Sequence, residues 1–225
     1  LSEKHGIFSD MSKLLNSDPT PTKSSVGVDA AIRRRIARAK DGQVFTPANF
    51  IDLGSRAAID KALSRLTSSG KLQRLSRGLY TRPRQHAVLG PLMPTADEIA
   101  TAVAGKGKLR LQPSGSYAAN LLGLSEQVPL KLAFLTDGVS RTVRVGGQQI
   151  TLKHTTPRSI ATAGRISGLV IQALRHLKQP RVDSNIIATL QRRLSAKDKA
   201  VLLTDAPLAP AWIAIIMRQI AANKD

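Results

Sequence analysis

The chain contains no cysteine. Disulfides, thiolate metal sites and cysteine nucleophiles are therefore excluded, and a cytoplasmic home is the natural expectation. Aromatic residues fill only 3% of the 225 positions, so the core must be built from Leu, Ile, Val and Ala. Acid is scarce as well: 15 Asp and Glu face 34 Lys and Arg, a formal net charge of +19. An excess of that size calls for a polyanionic partner, a nucleic acid or an acidic membrane surface. Long apolar runs are missing too. The longest, residues 211–217, is far shorter than the roughly 20 residues that span a bilayer. Residues 1–15 lack the continuous apolar stretch of a signal sequence.

What is present is concentrated between Gln43 and Arg84. Thr46 can cap a helix that Pro47 opens, where its missing N–H costs nothing. That helix is short and closes at Gly54, a residue suited to the left-handed C-terminal position. Ser55 then caps a second helix that runs to Ser69, with Gly70 as its stop. At about 100° per residue, Ile59, Ala62, Leu63 and Leu66 share one face, which must be buried. The other face carries Ala57, Asp60, Lys61, Ser64, Arg65 and Ser68, with Arg56 at its border.

After Gly70 the apolar spacing changes to short strand-like runs. Residues 71–75 and 79–82 flank Ser76-Arg77-Gly78, a hairpin turn in which Gly78 can take a positive φ. Arg74, Arg77, Arg82 and Arg84 lie on or near this hairpin. A preceding helix over residues 28–40 has Ala31, Ile32, Ile36 and Ala39 for a core side and Arg33, Arg34, Arg35 and Arg38 on its polar side. Two helices and a basic hairpin in this order are the sequence form of a winged helix-turn-helix. Such units place the second helix in the major groove and the hairpin on phosphates or in the minor groove. Residues 46–84 carry a net charge of +6, residues 1–45 +3 and residues 85–225 +10.

The expected organisation is a flexible tail (1–25), a winged helix-turn-helix domain (26–88) and a C-terminal α/β domain (89–225) ending in helices, an α+β chain overall. Asp18-Pro19-Thr20-Pro21 marks the tail as polar and Pro-interrupted. Leu1 with Met11 close behind fits a trimmed or added leader over residues 1–10. Gly90, Pro91 and Pro94 punctuate a weakly patterned stretch at 85–95, where the boundary is drawn. Beyond it, Thr95 caps a helix to about Ala104 with Asp97 and Glu98 in its first turn. Strands are expected at 109–111, 131–136, 142–145 and 149–153, the last two joined by Gly146-Gly147. Between the first two of these, Ser114 or Ser116 starts a helix that Gly123 stops. Helices should follow at 162–177, 184–194, 196–204 and 209–222.

No catalytic constellation emerges. His5, His86, His154 and His176 are scattered, none at metal-ligand spacing from another His or a carboxylate. Gly105-Lys106-Gly107-Lys108 lacks the spacing of a phosphate-binding P-loop. Ser114-Gly115-Ser116 lacks the glycine pattern of a nucleophile elbow and reads better as helix capping. Asp97-Glu98 and Asp137 form no recognisable catalytic pair. The expectation is a protein that is not an enzyme and carries no cofactor or metal.

Several phrases carry a resemblance to a known family: VFTPANFIDLG (44–54), RLSRGLYTRP (74–83), LRLQPSGSYAANLLGL (109–124), FLTDG (134–138), HTTPR (154–158) and APAWI (209–213). Together they resemble the AbiEi-type antitoxins of bacterial abortive-infection systems, in a poorly characterised branch, over about residues 28–220. The resemblance implies a winged helix-turn-helix that represses its own operon by binding inverted repeats in double-stranded DNA. It also implies a C-terminal domain that counters a nucleotidyltransferase-like toxin encoded nearby, and in such systems the two need not form a stable complex. Members of this branch that lack a toxin would act only as regulators.

Two functions of different class stand open. In the first, a DNA-binding transcriptional regulator, Ser55, Arg56, Ala57, Lys61, Ser64 and Arg65 face the groove while Arg33, Arg34, Arg74, Arg77 and Arg82 hold phosphates. A dimer or cooperative binding on DNA would match an inverted repeat. In the second, the basic surface holds an acidic protein partner such as a cognate toxin, with no specific DNA role. Between them lies the case in which Lys106, Lys108, Arg110, Arg141, Arg144, Lys153 and Arg158 form a second basic patch.

Overall fold

Helix α1 (Lys23–Ala37) turns Val28, Ile32 and Ile36 inward at helical spacing. The computed structural model describes residues 23–105, 107 and 109–222. Lys106, Lys108 and most of the expected tail lie outside them. Among the described residues no helix is long and apolar enough to cross a membrane.

A two-residue strand, β1 (Val44–Phe45), follows α1, and then a 3-10 helix (Pro47–Leu53) opened by Thr46. Asn49 closes its capping box with Thr46. Helix α2 (Arg56–Ser68) is capped by Ser55, whose side chain accepts the Ala58 N–H, and it buries the row Ile59, Ala62, Leu63 and Leu66 as its period requires. Strands β2 (Gln73–Ser76) and β3 (Leu79–Thr81) form the expected hairpin, and Gly78 takes φ +71° in its turn. The three strands make a sheet in the order β1-β3-β2. Phe45, Phe50, Leu63, Leu72 and Tyr80 join α1 and α2 in a first core.

The stretch at 85–95 departs from expectation. It contains a second small hairpin, β4 (Arg84–His86) with β5 (Gly90–Leu92). Its Gly and Pro shape the turn and one strand and leave no open linker there. Helix α3 (Ala96–Ala104) then begins on a capping box between Thr95 and Glu98.

The remaining sheet is mixed. Strands β6 (Leu111–Ser114), β7 (Lys131–Thr136), β8 (Arg141–Val145) and β9 (Gln148–His154) lie in the order β6-β7-β9-β8. Only the β7–β9 pair is parallel. The first strand sits two residues later than expected, because Pro113 and Gln112 belong to it. Helix α4 (Gly115–Leu121) follows β6 directly. Ser114 is not a side-chain cap here; its Oγ donates to the Ala133 carbonyl across the sheet. Helices α5 (Ile166–Leu177), α6 (Ser184–Arg193), α7 (Ala196–Asp205) and α8 (Ala211–Ala221) complete an α+β chain. Gly168 lets α5 approach β6: a Cβ there would lie 2.3 Å from Gln112 Oε1.

Two further cores follow. One is helical, from α4 to α8, with Leu174, Leu190, Leu202 and Ile213 fully buried. The other places Ile99, Ala100 and Val103 of α3 on Leu132, Phe134, Ile150 and Leu152 of the mixed sheet. It also takes Val44 from β1 and Leu79 from β3. Neighbouring residues on one short strand thus serve different cores, Val44 one and Phe45 the other. Strand alternation is the cause.

Candidate nucleic-acid interface

With its apolar row buried, α2 exposes Ala57, Lys61, Ser64, Arg65 and Ser68. The five lie on one polar strip with no apolar side chain larger than Ala. Among the described residues no carboxylate pairs with Lys61, Arg74 or Arg77. Ser55 is exposed but its hydroxyl is engaged by the helix N-terminus. Arg34 is exposed on α1. Arg74 reaches back to the Ser76 carbonyl at 3.4 Å across the bulge in its own strand.

Other expected contacts are partly engaged inside the protein. Arg56 pairs with Asp60 one helical turn on, at 2.9 Å. Arg33 and Arg65 share Asp29, which is 4% exposed and joins α1 to α2. Burial opposes the charge on Asp29. The two arginines more than offset that and hold its carboxyl below the usual carboxylate range. Both guanidiniums stay about half exposed, so their outer edges remain free for an anion.

Arg82 departs most from expectation. Its Nη1 donates to the carbonyls of Ala37 at 2.9 Å and Ala39 at 2.8 Å, and its Nε lies 2.9 Å from Asp41. It closes the C-terminal end of α1, where a cation meets the orphan carbonyls and the negative end of the helix. The side chain turns back onto the fold, so the role that the structure gives Arg82 is the closing of α1.

Asp29 gives a test of this wiring. A carboxyl whose folded pKa lies below its unfolded value stabilises the fold fully above the unfolded value, about 3.9. That contribution disappears as pH falls through the folded value. Asp29→Asn should therefore lower stability by roughly 2 kcal/mol at neutral pH, with the deficit shrinking below about pH 4. Urea titrations at several pH values would check it. A deficit independent of pH would mean that packing, not charge, is what Asp29 supplies.

The second set of basic residues does not form one patch. Arg110 is held by Asp137 at 2.9 Å, and this contact, with the Arg110 backbone N–H, keeps the Asp137 carboxyl below its ordinary range. Arg141 donates to the Val103 carbonyl on the side of the sheet that α3 covers. Arg144 and Lys153 lie on the opposite side, exposed, and Arg158 is exposed in the turns after β9. Lys106 and Lys108 lie outside the described residues.

Sequence reasoning missed three features. Lys71 joins Arg33 and Arg82 in a groove of about 330 Å³. Arg84 pairs with Glu98 at 2.9 Å and donates to the Asp41 carbonyl, tying β4 to α3 and to the loop after α1. Burial raises the Glu98 carboxyl; the Thr95 N–H and Arg84 override it and keep the group low. Lys131 stands exposed beside Arg144 and Lys153. Only the last had a sequence signal, its place at the start of a strand with alternating burial.

The hairpin and the mixed sheet meet edge to edge. The turn residues Arg77 and Gly78, with Leu79 at the start of β3, face Arg141, Thr142 and Val143 of β8 across a hollow of about 340 Å³. At the other end of β2, Gln73 lies 3.9 Å from the Met93 sulfur, whose methyl group sits against Gly146 just past β8. The hairpin therefore rests along β8 and does not project alone.

Residues 31–202 match a family of unknown function, DUF6088. The chain belongs to that family. The match runs from within α1 to within α7, so it takes in α2, the hairpin and the mixed sheet together. No curated protein matches the chain.

Proposed function

We propose that this DUF6088 member is a sequence-specific DNA-binding transcriptional regulator whose α1, α2 and β2–β3 hairpin act as a winged helix-turn-helix. The observation that carries the reading is the strip on α2. A helix that buries its apolar row completely presents Lys61, Ser64 and Arg65, and the hairpin that follows it carries Arg77, which has no acidic partner among the described residues. Lys61 and Ser64 are of a size and chemistry to meet base edges in the major groove, and Arg77 to meet a phosphate. The net charge of +19 supplies the long-range attraction. The resemblance to AbiEi-type antitoxins adds the target: inverted repeats in the protein's own promoter, bound as an autorepressor, with a nucleotidyltransferase-like toxin as neighbour.

Gel shifts on the protein's own promoter and on random duplex, each at several salt concentrations, test this. Affinity should fall with a log–log salt slope of about −4 to −5, equivalent to roughly five neutralised phosphates per protomer. Lys61→Ala should relax sequence preference at a cost of roughly 1–3 kcal/mol. Equal affinity for promoter and random DNA would sink the regulatory claim.

A further inference from the structure

Strand register sorts the mixed sheet into two unlike faces. Leu132, Phe134, Val143, Ile150 and Leu152 point to the side that α3 covers. On the opposite side α5 covers β6, where Gln112 is buried against Gly168, while β7, β9 and β8 carry Lys131, Gln149 and Arg144 in one cross-strand row, and Ala133, Thr151 and Thr142 in the next. Lys153 follows on β9 beside Leu135. Lys131, Arg144, Thr142 and Lys153 are exposed, and the others are half-buried. No carboxylate stands on these strand positions. None of the three cations has an ion-pair partner among the described residues.

The shape of this face limits what it can hold. Its floor is Thr142, Thr151, Gln149 and Ala133 with Leu135 at one end, and Thr142 is bonded to Thr151 at 3.3 Å, so it is mostly polar. It carries no aromatic ring, because the sheet's Phe134 points the other way, against Tyr117. Stacking platforms for unpaired bases need such rings. Strand geometry puts Lys131 and Arg144 about 10 Å apart, and Lys153 about 13 Å along β9 from their row. Those separations approach the ~12 Å width of a major groove, across which phosphates face each other. The face also starts at β8, the strand on which the hairpin rests, with Thr142 shared between it and the hollow beside Arg77.

From these features we infer that the part of this face lying beyond α5, over β7, β9 and β8, is a second phosphate-backbone contact, made by Lys131, Arg144 and Lys153 on the same duplex that α2 reads. This rests on the DNA-binding reading. The three cations hold phosphates, which carry no base identity, so the face adds affinity and length of footprint without adding sequence preference.

The full chain carrying Lys131→Gln, Arg144→Gln and Lys153→Gln together is the test, measured by fluorescence anisotropy on promoter and random duplex over a salt series. The salt slope should become shallower by about 2.7, and affinity at 0.15 M salt should fall roughly a hundredfold for both duplexes alike. The footprint should shorten on one side. Arg110→Gln, on a residue already held by Asp137, should leave the slope unchanged. The three side chains are exposed and have no ion-pair partner among the described residues, so the melting temperature should not move, and each single variant should shift the slope by about 0.9. A wild-type chain that binds promoter selectively, with a triple variant of identical slope and footprint, overturns the second contact alone. If that variant has meanwhile lost binding to polyglutamate, the face belongs to an acidic protein instead, which also overturns it. A wild-type chain that binds no duplex removes the first reading and this one together.

Discussion

A chain carrying Lys61→Glu and Arg77→Glu is expected to lose about a thousandfold in affinity for its promoter duplex at 0.15 M salt, roughly 4 kcal/mol. A cation at the duplex surface, whether on a phosphate as Arg77 or in the negatively charged groove as Lys61, contributes about 0.7 log units at this ionic strength, and reversing its sign costs about twice that. Two reversals therefore remove about three log units. Both side chains are exposed and neither has an acidic partner among the described residues, so the fold should be untouched. Circular dichroism would confirm that, and anisotropy would read the loss. Lys61 and Arg77 are better choices than Arg65 or Arg82. Reversal of Arg65 would place a second carboxylate beside buried Asp29, and reversal of Arg82 would leave the carbonyls at the end of α1 without their donor. Retention of affinity within tenfold would move the nucleic-acid contact away from α2 and the hairpin altogether.

The difference between those residues was not legible in the sequence. Helical period identified the buried row of α2 residue for residue, because burial along one helix depends on positions three and four apart. Strands β7, β8 and β9 and the Gly146-Gly147 turn were legible for the same local reason. Arg82, in contrast, is defined by carbonyls more than forty positions earlier, and no periodicity links them. Asp29 sits between Val28 and Ala30 on a helix whose buried side looks purely apolar until Arg65 arrives from α2. The β4–β5 hairpin was hidden by its three-residue strands and by Gly90 and Pro91 within them, residues that usually mark loops. The part of the sheet face beyond α5 could not be found from charge alone. Charge grouped Arg110, Arg141, Arg144 and Lys153 in one patch, whereas strand register puts Arg141 on one side of β8 and Arg144 on the other. Register also brings in Lys131, which lies outside that group.

Phe50→Ala should be the most damaging single truncation, at about 3–5 kcal/mol. The chain has only four Phe, and Phe50 is fully buried in the 3-10 helix between α1 and α2. Its ring lies 5.7 Å from that of Phe45, and the Arg35 guanidinium caps it at 5.9 Å. The neighbouring Ile32, Ile59, Leu63 and Leu72 are already buried, the first three held in place by their own helices, so the cavity should stay open. The effect should not stop at the first core. Phe45 and Tyr80 belong to that core, while their chain neighbours Val44 and Leu79 belong to the core under the mixed sheet. On α4, Tyr117 packs against the sheet core and Ala118 sits in the helical one, so the sharing continues. Trp212, the sole tryptophan, is half-buried against that last core and makes a natural probe of it. In urea, the Trp212 fluorescence midpoint of the Phe50→Ala chain should fall together with the helical circular dichroism signal. If Trp212 kept its wild-type midpoint while about a third of the helical signal was lost early, the cores would be independent. Coincident transitions would instead mean that the hairpin and the mixed sheet hold one another in place. On the proposed DNA-binding reading, the spacing between Arg77 and the cations of β7, β8 and β9 would then be fixed by packing before a duplex arrived, with little ordering left to oppose binding.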